Sequence, residues 1–434
     1  MSKPAPGAAR VRPHDRRQIV YLHLGTPKSG TTYLQNVMWR NRDRLREHGV
    51  LYPGDAAPAH YWATLDLQEA AYRGHVYPEV PGAWDRLVEE VREWGGTAVI
   101  SHELLTRATP EQAKRALATL DFAEVHLVLT VRDLVRQIPA AWQETVKNKF
   151  RVGFGRFLKE LQAPEDERGR HGQAFWLMQD LVDILRRWAG TVPDEHVHII
   201  TIPSGGPGDL LWRRFAGLVG VDHEQITPPE VEANTSLGAV ETALLRSLNR
   251  RVKDDLEWAD YERVVKHDLV PQVLGGRPEP RRIALSGADL EWAVGRAGEM
   301  LAEIGGRSYD VIGGLDEVTP APARPAGQDV RHPDDVTTEE LLEAALDATR
   351  GLVLKAAERE RQVEDLRRRT HEAEHEAERA RQEAAAAHEA MRVAYERPVL
   401  RHLAHRIGQR KPVVMRLMET AVRVRRRLGR GVRR

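Results

Sequence analysis

His23-Leu24-Gly25-Thr26-Pro27-Lys28-Ser29-Gly30-Thr31-Thr32 lies between an apolar run and a helical pattern. Upstream, Ile19-Val20-Tyr21-Leu22-His23-Leu24 is short, mainly apolar and stopped by Gly25, as a buried strand would be. Downstream, Leu34, Val37, Met38 and Leu45 fall on one side of a helix expected from Thr31 to His48, with Gly49 as its stop. Strand, glycine turn and helix therefore follow one another directly. Such a turn suits an anion. Gly25 and Gly30 let backbone N–H groups approach oxygen atoms. The helix starting at Thr31 adds free N–H groups and a favourable dipole. Lys28 adds a cation, and Ser29, Thr31 and Thr32 add hydroxyls. A Walker A loop places its lysine directly after the second glycine; here Lys28 precedes Gly30, so this is a different loop.

Further strand-and-helix units flank this one. Thr97–Ser101, Val125–Val131 and His196–Ile202 read as strands, and 111–120, 173–189, 208–219, 238–253 and 287–304 as helices. Strands separated by helices imply βαβ units. The expected fold is α/β: a three-layer, P-loop-like domain around a central, mainly parallel sheet, covering residues 18–315. Residues 1–17 read as a disordered leader, with no apolar segment of signal-peptide type. Residues 316–335, rich in Pro, Ala and Asp, read as a linker.

Thr337 and Glu340 form a capping-box pattern that opens a new helix over 336–397. There Val363, Thr370, Ala377, Ala384 and Met391 recur every seventh residue, and Leu366, Ala373, Ala380, Ala387 and Ala394 follow three behind. This is an Ala-rich coiled-coil seam, a site for self-association. In the tail, 398–434, Val414, Leu417, Ala421, Val424 and Leu428 form an apolar stripe among arginines, a basic amphipathic helix suited to an anionic membrane surface or a partner. Nothing in the chain matches a specific nucleic-acid motif. The net charge of +1 hides these separate blocks. The absence of cysteine excludes disulfides and thiolate chemistry and fits a cytoplasmic protein, peripheral to the membrane at most.

The order Pro27-Lys28-Ser29-Gly30-Thr31-Thr32 at a strand-to-helix turn resembles the 5′-phosphosulfate loop of sulfotransferases that use 3′-phosphoadenosine-5′-phosphosulfate (PAPS). The resemblance implies that Gly25 through Thr32 hold the 5′ end of the nucleotide and that Lys28 stabilises the leaving oxygen. It also implies an arginine after a later strand and a serine eight residues on, both binding the 3′-phosphate. Arg132 follows the Val125–Val131 strand as required, but position 140 is Ala. Arg136 or Gln143 is the expected substitute. Ser236, in Asn234-Thr235-Ser236-Leu237-Gly238, resembles a late segment that closes over the nucleotide, and reads equally as a helix N-cap. Tyr309-Asp310-Val311-Ile312-Gly313 resembles the common end of such domains.

The implied reaction moves a sulfuryl group from PAPS to a hydroxyl or amine of an acceptor, a carbohydrate or glycolipid among the candidates, and leaves adenosine 3′,5′-bisphosphate (PAP). The acceptor needs a base. Glu103 and then His102 are the candidates, because both follow a strand end. His60 and Trp142 are candidate acceptor contacts. The 18 histidines are scattered through the sequence, and no metal is expected. Two other classes fit the same residues: a P-loop kinase or NTPase using Asp133, and a non-catalytic scaffold, to which Ala140 points.

Overall fold

The computed structural model describes residues 18–70, 77–226, 228, 236–277, 279–320 and 331–396, with 399, 402, 403, 405, 406 and 416. The leader and nearly all of the basic tail stripe lie outside the described residues. Two compact units are present, Met1–Leu352 and Val353–Arg434.

The first unit is built on a fully parallel sheet. Its strands are β1 (Gln18–His23), β2 (Val50–Leu51), β3 (Thr97–Ser101), β4 (Ala123–Arg132), β5 (Val197–Ile202) and β6 (Asp310–Ile312). They are ordered β2-β3-β1-β4-β5-β6. The strands are apolar on both sides because both faces are covered, as parallel sheets require.

On one face Tyr21, Val99, Val128 and Ile200 meet α1 (Thr31–Arg40), α2 (Arg42–Glu47) and, later in the chain, Leu210–Val219. On the other face Val20, Leu22, Ile100 and Leu129 meet α3 (Ala59–Leu67), α4 (Ala83–Trp94), α5 (Pro110–Thr119) and the Leu181–Trp188 and Gly287–Gly305 helices. Adjacent β1 residues thus serve opposite layers, as the two-residue period of a strand dictates.

A third core is purely helical. α6 (Leu134–Lys147), α7 (Phe154–Gln162), α8 (Arg170–Gln179) and parts of α11 (Ala239–Arg251), α12 (Trp258–Tyr261) and α14 (Gly287–Gly305) enclose Trp142, Phe154, Phe157, Phe175 and Tyr261. α9 is Leu181–Trp188 and α10 is Leu210–Val219. A π-helical turn, Glu262–Leu269, joins α12 to the short α13 (Val270–Gln272). Buried Asn249 locks this part together. Its amide donates to the Val146 and Phe150 carbonyls, and its oxygen accepts from Tyr261 Oη at 2.6 Å.

Two sequence expectations are corrected here. The helix expected over Thr31–His48 is two helices, broken at Asn41, whose side chain donates to the Val37 carbonyl at 2.8 Å. That over 173–189 is also two, because the Asp180 side chain caps α9 by accepting from Asp183 N. The linker that precedes the long C-terminal helix is anchored at both ends. Glu317 pairs with Arg214 at 2.6 Å, and Asp334 accepts from the Phe154 and Gly155 amides that open α7. Residues 321–330 between them lie outside the described residues.

α15 runs from Thr338 to Glu396. It starts as its sequence indicates: Thr337 Oγ1 accepts from Glu340 N, and Glu340 Oε2 accepts from Thr337 N. Its first turns belong to the first unit, where Ala344 is buried and Asp347 pairs with Arg277. Beyond Leu352, Val363, Leu366 and Met391 of the heptad series are exposed. No helix among the described residues is long and apolar enough to cross a membrane.

Candidate functional site

β1 is followed in the chain by β2 on one side, whereas its neighbour β3 is followed by β4 on the other side. The chain reverses direction at this point, so the carboxyl ends of β1, β3 and β4 are where a ligand crevice forms. A cleft of about 2640 Å³ opens there, lined by Lys28, Gly30, Thr31, Thr32, Glu103 and Arg132 among others. A drug-sized ligand takes roughly 300–1,000 Å³, so the cleft has room for a nucleotide and a second substrate.

The loop from Leu24 to Gly30 is held rigidly. Thr26 N donates to the Thr130 carbonyl at 3.3 Å, and Thr26 Oγ1 donates to the same oxygen at 3.1 Å. Ser29 Oγ donates to the Thr26 carbonyl at 2.6 Å and lies 2.6 Å from Thr130 Oγ1. The Pro27 carbonyl accepts from Gln137 and Gln179. Gly25 and Gly30 have φ of 54° and 79°, which favours glycine. A Cβ on Gly25 would sit 2.2 Å from Thr31 Cγ2, and one on Gly30 would sit 2.4 Å from Leu211 Cδ2. Lys28 itself has a φ of 69°, an uncommon conformation for a side-chain-bearing residue.

The first backbone bond of α1 is Leu34 N to the Gly30 carbonyl, and no side chain caps the helix. The amides of Thr31, Thr32 and Tyr33 precede that bond and face the cleft end of the helix. Thr31 and Ser29 are buried, and Thr32 is exposed. The sequence treats the three hydroxyls alike; the structure spends Ser29 on holding the loop.

A string of buried polar groups ties the strand ends to this loop. His23 Nδ1 lies 2.8 Å from Ser101 Oγ, and its Nε2 lies 3.3 Å from Thr130 Oγ1. His60, expected among acceptor-binding loops, is instead buried beneath them. Its Nδ1 accepts from Ser101 N at 3.1 Å, its Nε2 donates to the Pro53 carbonyl at 2.9 Å, and its ring stacks on Tyr52. Trp142 is likewise core, with Nε1 donating to the Val152 carbonyl. Neither lines the cleft.

Burial pushes His23 down to about 4 and His60 down to about 3. Both are therefore neutral in the folded protein, while in the unfolded chain each titrates near 6.5. Below that value the unfolded state binds the extra protons. Stability is thus complete above about pH 6.5 and falls, as pH drops towards the folded values, by about 1.4 kcal/mol per pH unit for each histidine. Urea unfolding midpoints taken between about pH 7 and pH 5 check this.

His102 and Glu103 both line the cleft. His102 caps the Glu103–Arg107 turn: its Nδ1 accepts from Leu104 N at 3.2 Å. Burial lowers its pKa, so the ring is neutral and its remaining nitrogen carries the proton. Burial opposes ionisation of Glu103, but the net shift is downward, with hydrogen bonds from its own amide and Gln35 and the charge of Lys28 favouring the carboxylate. Glu103 is thus a carboxylate close enough to Lys28 to feel its charge.

Lys28 Nζ donates to Glu144 Oε2 at 2.6 Å, and Lys266 lies 3.2 Å from Glu144 Oε1. Burial would raise the Glu144 carboxyl, yet Lys28 and Lys266 hold it well below the usual carboxylate range. Burial and the neighbouring lysines bring Lys147 down to about 8.

Arg132, Arg136 and Arg282 line the same cleft. Burial and the charges of Arg136 and Arg282 depress Arg132, which marks a concentration of positive potential. Arg132 Nη1 donates to the Lys28 carbonyl at 3.5 Å. Arg136 is held by Asp133 and donates to the Ile202 and Pro203 carbonyls. Asp133 also caps α6, accepting from Arg136 N. Ser236 donates to Gln143 Oε1 at 3.2 Å beside Ala140. It is not an N-cap; Gly238 takes that position for α11, and Asn234 and Thr235 lie outside the described residues. Arg282 and Lys266 carried no signal in the sequence, because they come from segments with no motif, whereas Lys147 stands in the basic Lys147-Asn148-Lys149 segment.

Searches with family models, among curated proteins and among solved structures find no match to this chain.

The expectation of no metal is overturned at the other end of the sheet. Glu124, His126 and His196 bring one ligand atom each within 4.8 Å of one another. The scattered positions of these residues in sequence concealed a cluster that the pairing of β4 with β5 creates.

Proposed function

We propose that the first unit is a P-loop-like sulfotransferase domain that moves a sulfuryl group from PAPS to an acceptor hydroxyl or amine. The observation that carries this reading is the loop at the end of β1. It presents uncapped α1 amides and Lys28 to a cleft that Arg132, Arg136 and Arg282 also line. A nucleotide with phosphates at both its 5′ and 3′ positions calls for cations at more than one point, which Lys28 and the three arginines would supply.

PAPS would supply the sulfuryl group. Gly30, Thr31 and Thr32 would hold its 5′-phosphosulfate, and Arg132 and Arg282 the 3′-phosphate, with Ser236 and Gln143 beside Ala140. The acceptor oxygen forms a bond to sulfur while the bridging S–O bond breaks, and PAP leaves. Lys28 stabilises the negative charge that gathers on the bridging oxygen. Glu103 takes the acceptor proton. His102 positions it, because its own free lone pair is committed to Leu104 N.

Glu103→Gln should lower turnover by about 10²–10⁴-fold with little change in PAP affinity. His102→Asn, which keeps a capping acceptor, should cost much less. A large loss in His102→Asn and a small one in Glu103→Gln would exchange the two roles. Calorimetric titration with PAP, followed by turnover of labelled PAPS over an acceptor panel, tests the reading as a whole. Mg²⁺-dependent ATP binding without PAP binding would replace it with a kinase-like one. Ala140 and the Lys28–Glu144 pair favour a second reading, a nucleotide-binding scaffold. PAP binding with no turnover on any acceptor would select it.

A further inference from the structure

We propose that Glu124, His126 and His196 bind one divalent transition-metal cation, with zinc the best chemical match, at the amino-terminal edge of the sheet. The site is independent of the cleft and of the proposed transferase activity. Glu124 and His126 lie near the start of β4, while Arg132 ends it. Eight residues at about 3.3 Å each put roughly 25 Å between the two places.

The distances suit a metal. Glu124 Oε1 is 3.1 Å from His126 Nε2 and 3.7 Å from His196 Nε2. Two bonds of ~2.0–2.1 Å at a tetrahedral angle place ligand atoms ~3.3 Å apart. Both Nε2 atoms thus face the same carboxylate oxygen; the His126 and His196 rings stack at 4.3 Å with 24° between their planes, so one ring turns to bring a shared ion into its own plane. Two imidazoles and one carboxylate form a common zinc set that leaves a fourth position for water. Glu124 and His196 are partly exposed, so that position reaches solvent.

Hydrogen-bond accounting points the same way. His198 Nδ1 is 2.7 Å from Asp310 Oδ2, and its Nε2 is 2.7 Å from His126 Nδ1. His126 Nε2 then faces Glu124. Each of these three contacts needs a positive centre between two lone pairs. Two neutral imidazoles carry only two N–H protons. If Asp310 receives the His198 proton and His198 receives the His126 proton, His126 Nε2 meets a carboxylate with a bare lone pair. A further proton would satisfy that pair and so complete the three contacts, but it would not engage His196. A cation satisfies it and engages His196 as well. The Asp310–His198–His126 chain is also the outer support expected of a metal-bound histidine, since it fixes the tautomer that exposes Nε2.

The ligands also close a loop. His126 and His196 are separated in the chain by α6 through α9. A cation would therefore pin the start of β4 to the turn that enters β5, at the point where the chain returns from the helical layer that builds the cleft wall.

The test uses the full chain, stripped with a chelator and carrying His371→Ala and His375→Ala. Those two histidines lie 3.1 Å apart on α15 and would otherwise add a zinc-capable pair. Zinc is titrated in competition with a chromophoric chelator, and cobalt is used as a visible probe. One equivalent of zinc at micromolar or tighter affinity is expected, with a cobalt spectrum of low coordination number. His196→Ala and Glu124→Gln should each weaken binding by about 100-fold or more, and Asp310→Asn by about 10–100-fold. The thermal midpoint should rise with zinc in the parent and stay fixed in His196→Ala. Absence of one-equivalent binding, or binding that Glu124→Gln and His196→Ala both leave unchanged, would overturn the proposal. Glu124→Gln alters a half-exposed side chain and keeps the test valid should His196→Ala fold poorly.

Discussion

On the proposed transferase reading, Lys28→Met is expected to reduce sulfuryl transfer by about 10²–10³-fold, the usual effect of removing one group that stabilises developing negative charge. PAP affinity should fall too, for a reason local to this protein. With Lys28 gone, Glu144 keeps Lys266 but faces an anion site with one cation fewer. The added repulsion and the lost charged contact together should cost about 10–100-fold in affinity, on the scale of 1.5–3 kcal/mol for a hydrogen bond to a charged group. The double variant Lys28→Met/Glu144→Gln separates the two roles. Affinity should recover most of its loss, while the rate stays low. Calorimetry with PAP and single-turnover rates with PAPS make the comparison. A double variant that regains its rate would show that Lys28 acts only as a binding charge.

Arg132→Ala is expected to weaken PAP by about 10–100-fold. Adenosine 5′-phosphate, which lacks the 3′-phosphate, should lose far less in the same variant. Arg132→Lys should recover only part, because an ammonium cannot reproduce the paired donors of the guanidinium. Arg282→Ala should behave like a weaker version of Arg132→Ala. Equal losses for the two nucleotides would mean that Arg132 acts chiefly through its bond to the Lys28 carbonyl, as a support for the loop.

What the sequence made legible follows from how local each cause is. β1, β3, β4 and β5 were readable because strands covered on both faces must be apolar runs. β2 and β6 have two and three residues, too few to show a period. The anion loop was readable because its chemistry is carried by consecutive backbone groups. Its partners were less so. Arg132 follows a clear strand, whereas Arg282 and Lys266 reach the cleft from segments that only the tertiary fold brings near. His60 and Trp142 attracted notice as side chains rich in chemistry, but their burial depends on Tyr52 and Phe154, which no local pattern connects to them. The Glu124–His126–His196 cluster was invisible for a similar reason. Parallel pairing of β4 and β5 unites positions some seventy residues apart, and no spacing rule covers that distance.

The Lys28–Glu144 contact gives the empty cleft an internal competitor. An anion arriving at Lys28 does not meet a bare lysine; it must exchange places with the Glu144 carboxylate already seated there. The net gain from binding is the difference between two anions, not the whole attraction of one. A weakly charged ligand offers little over Glu144 and is turned away, while one bearing several charges prevails. Under the proposed nucleotide reading, the cleft discriminates by charge number before any contact reads the base or the sugar, and added salt should narrow that discrimination by screening the richer anion more strongly.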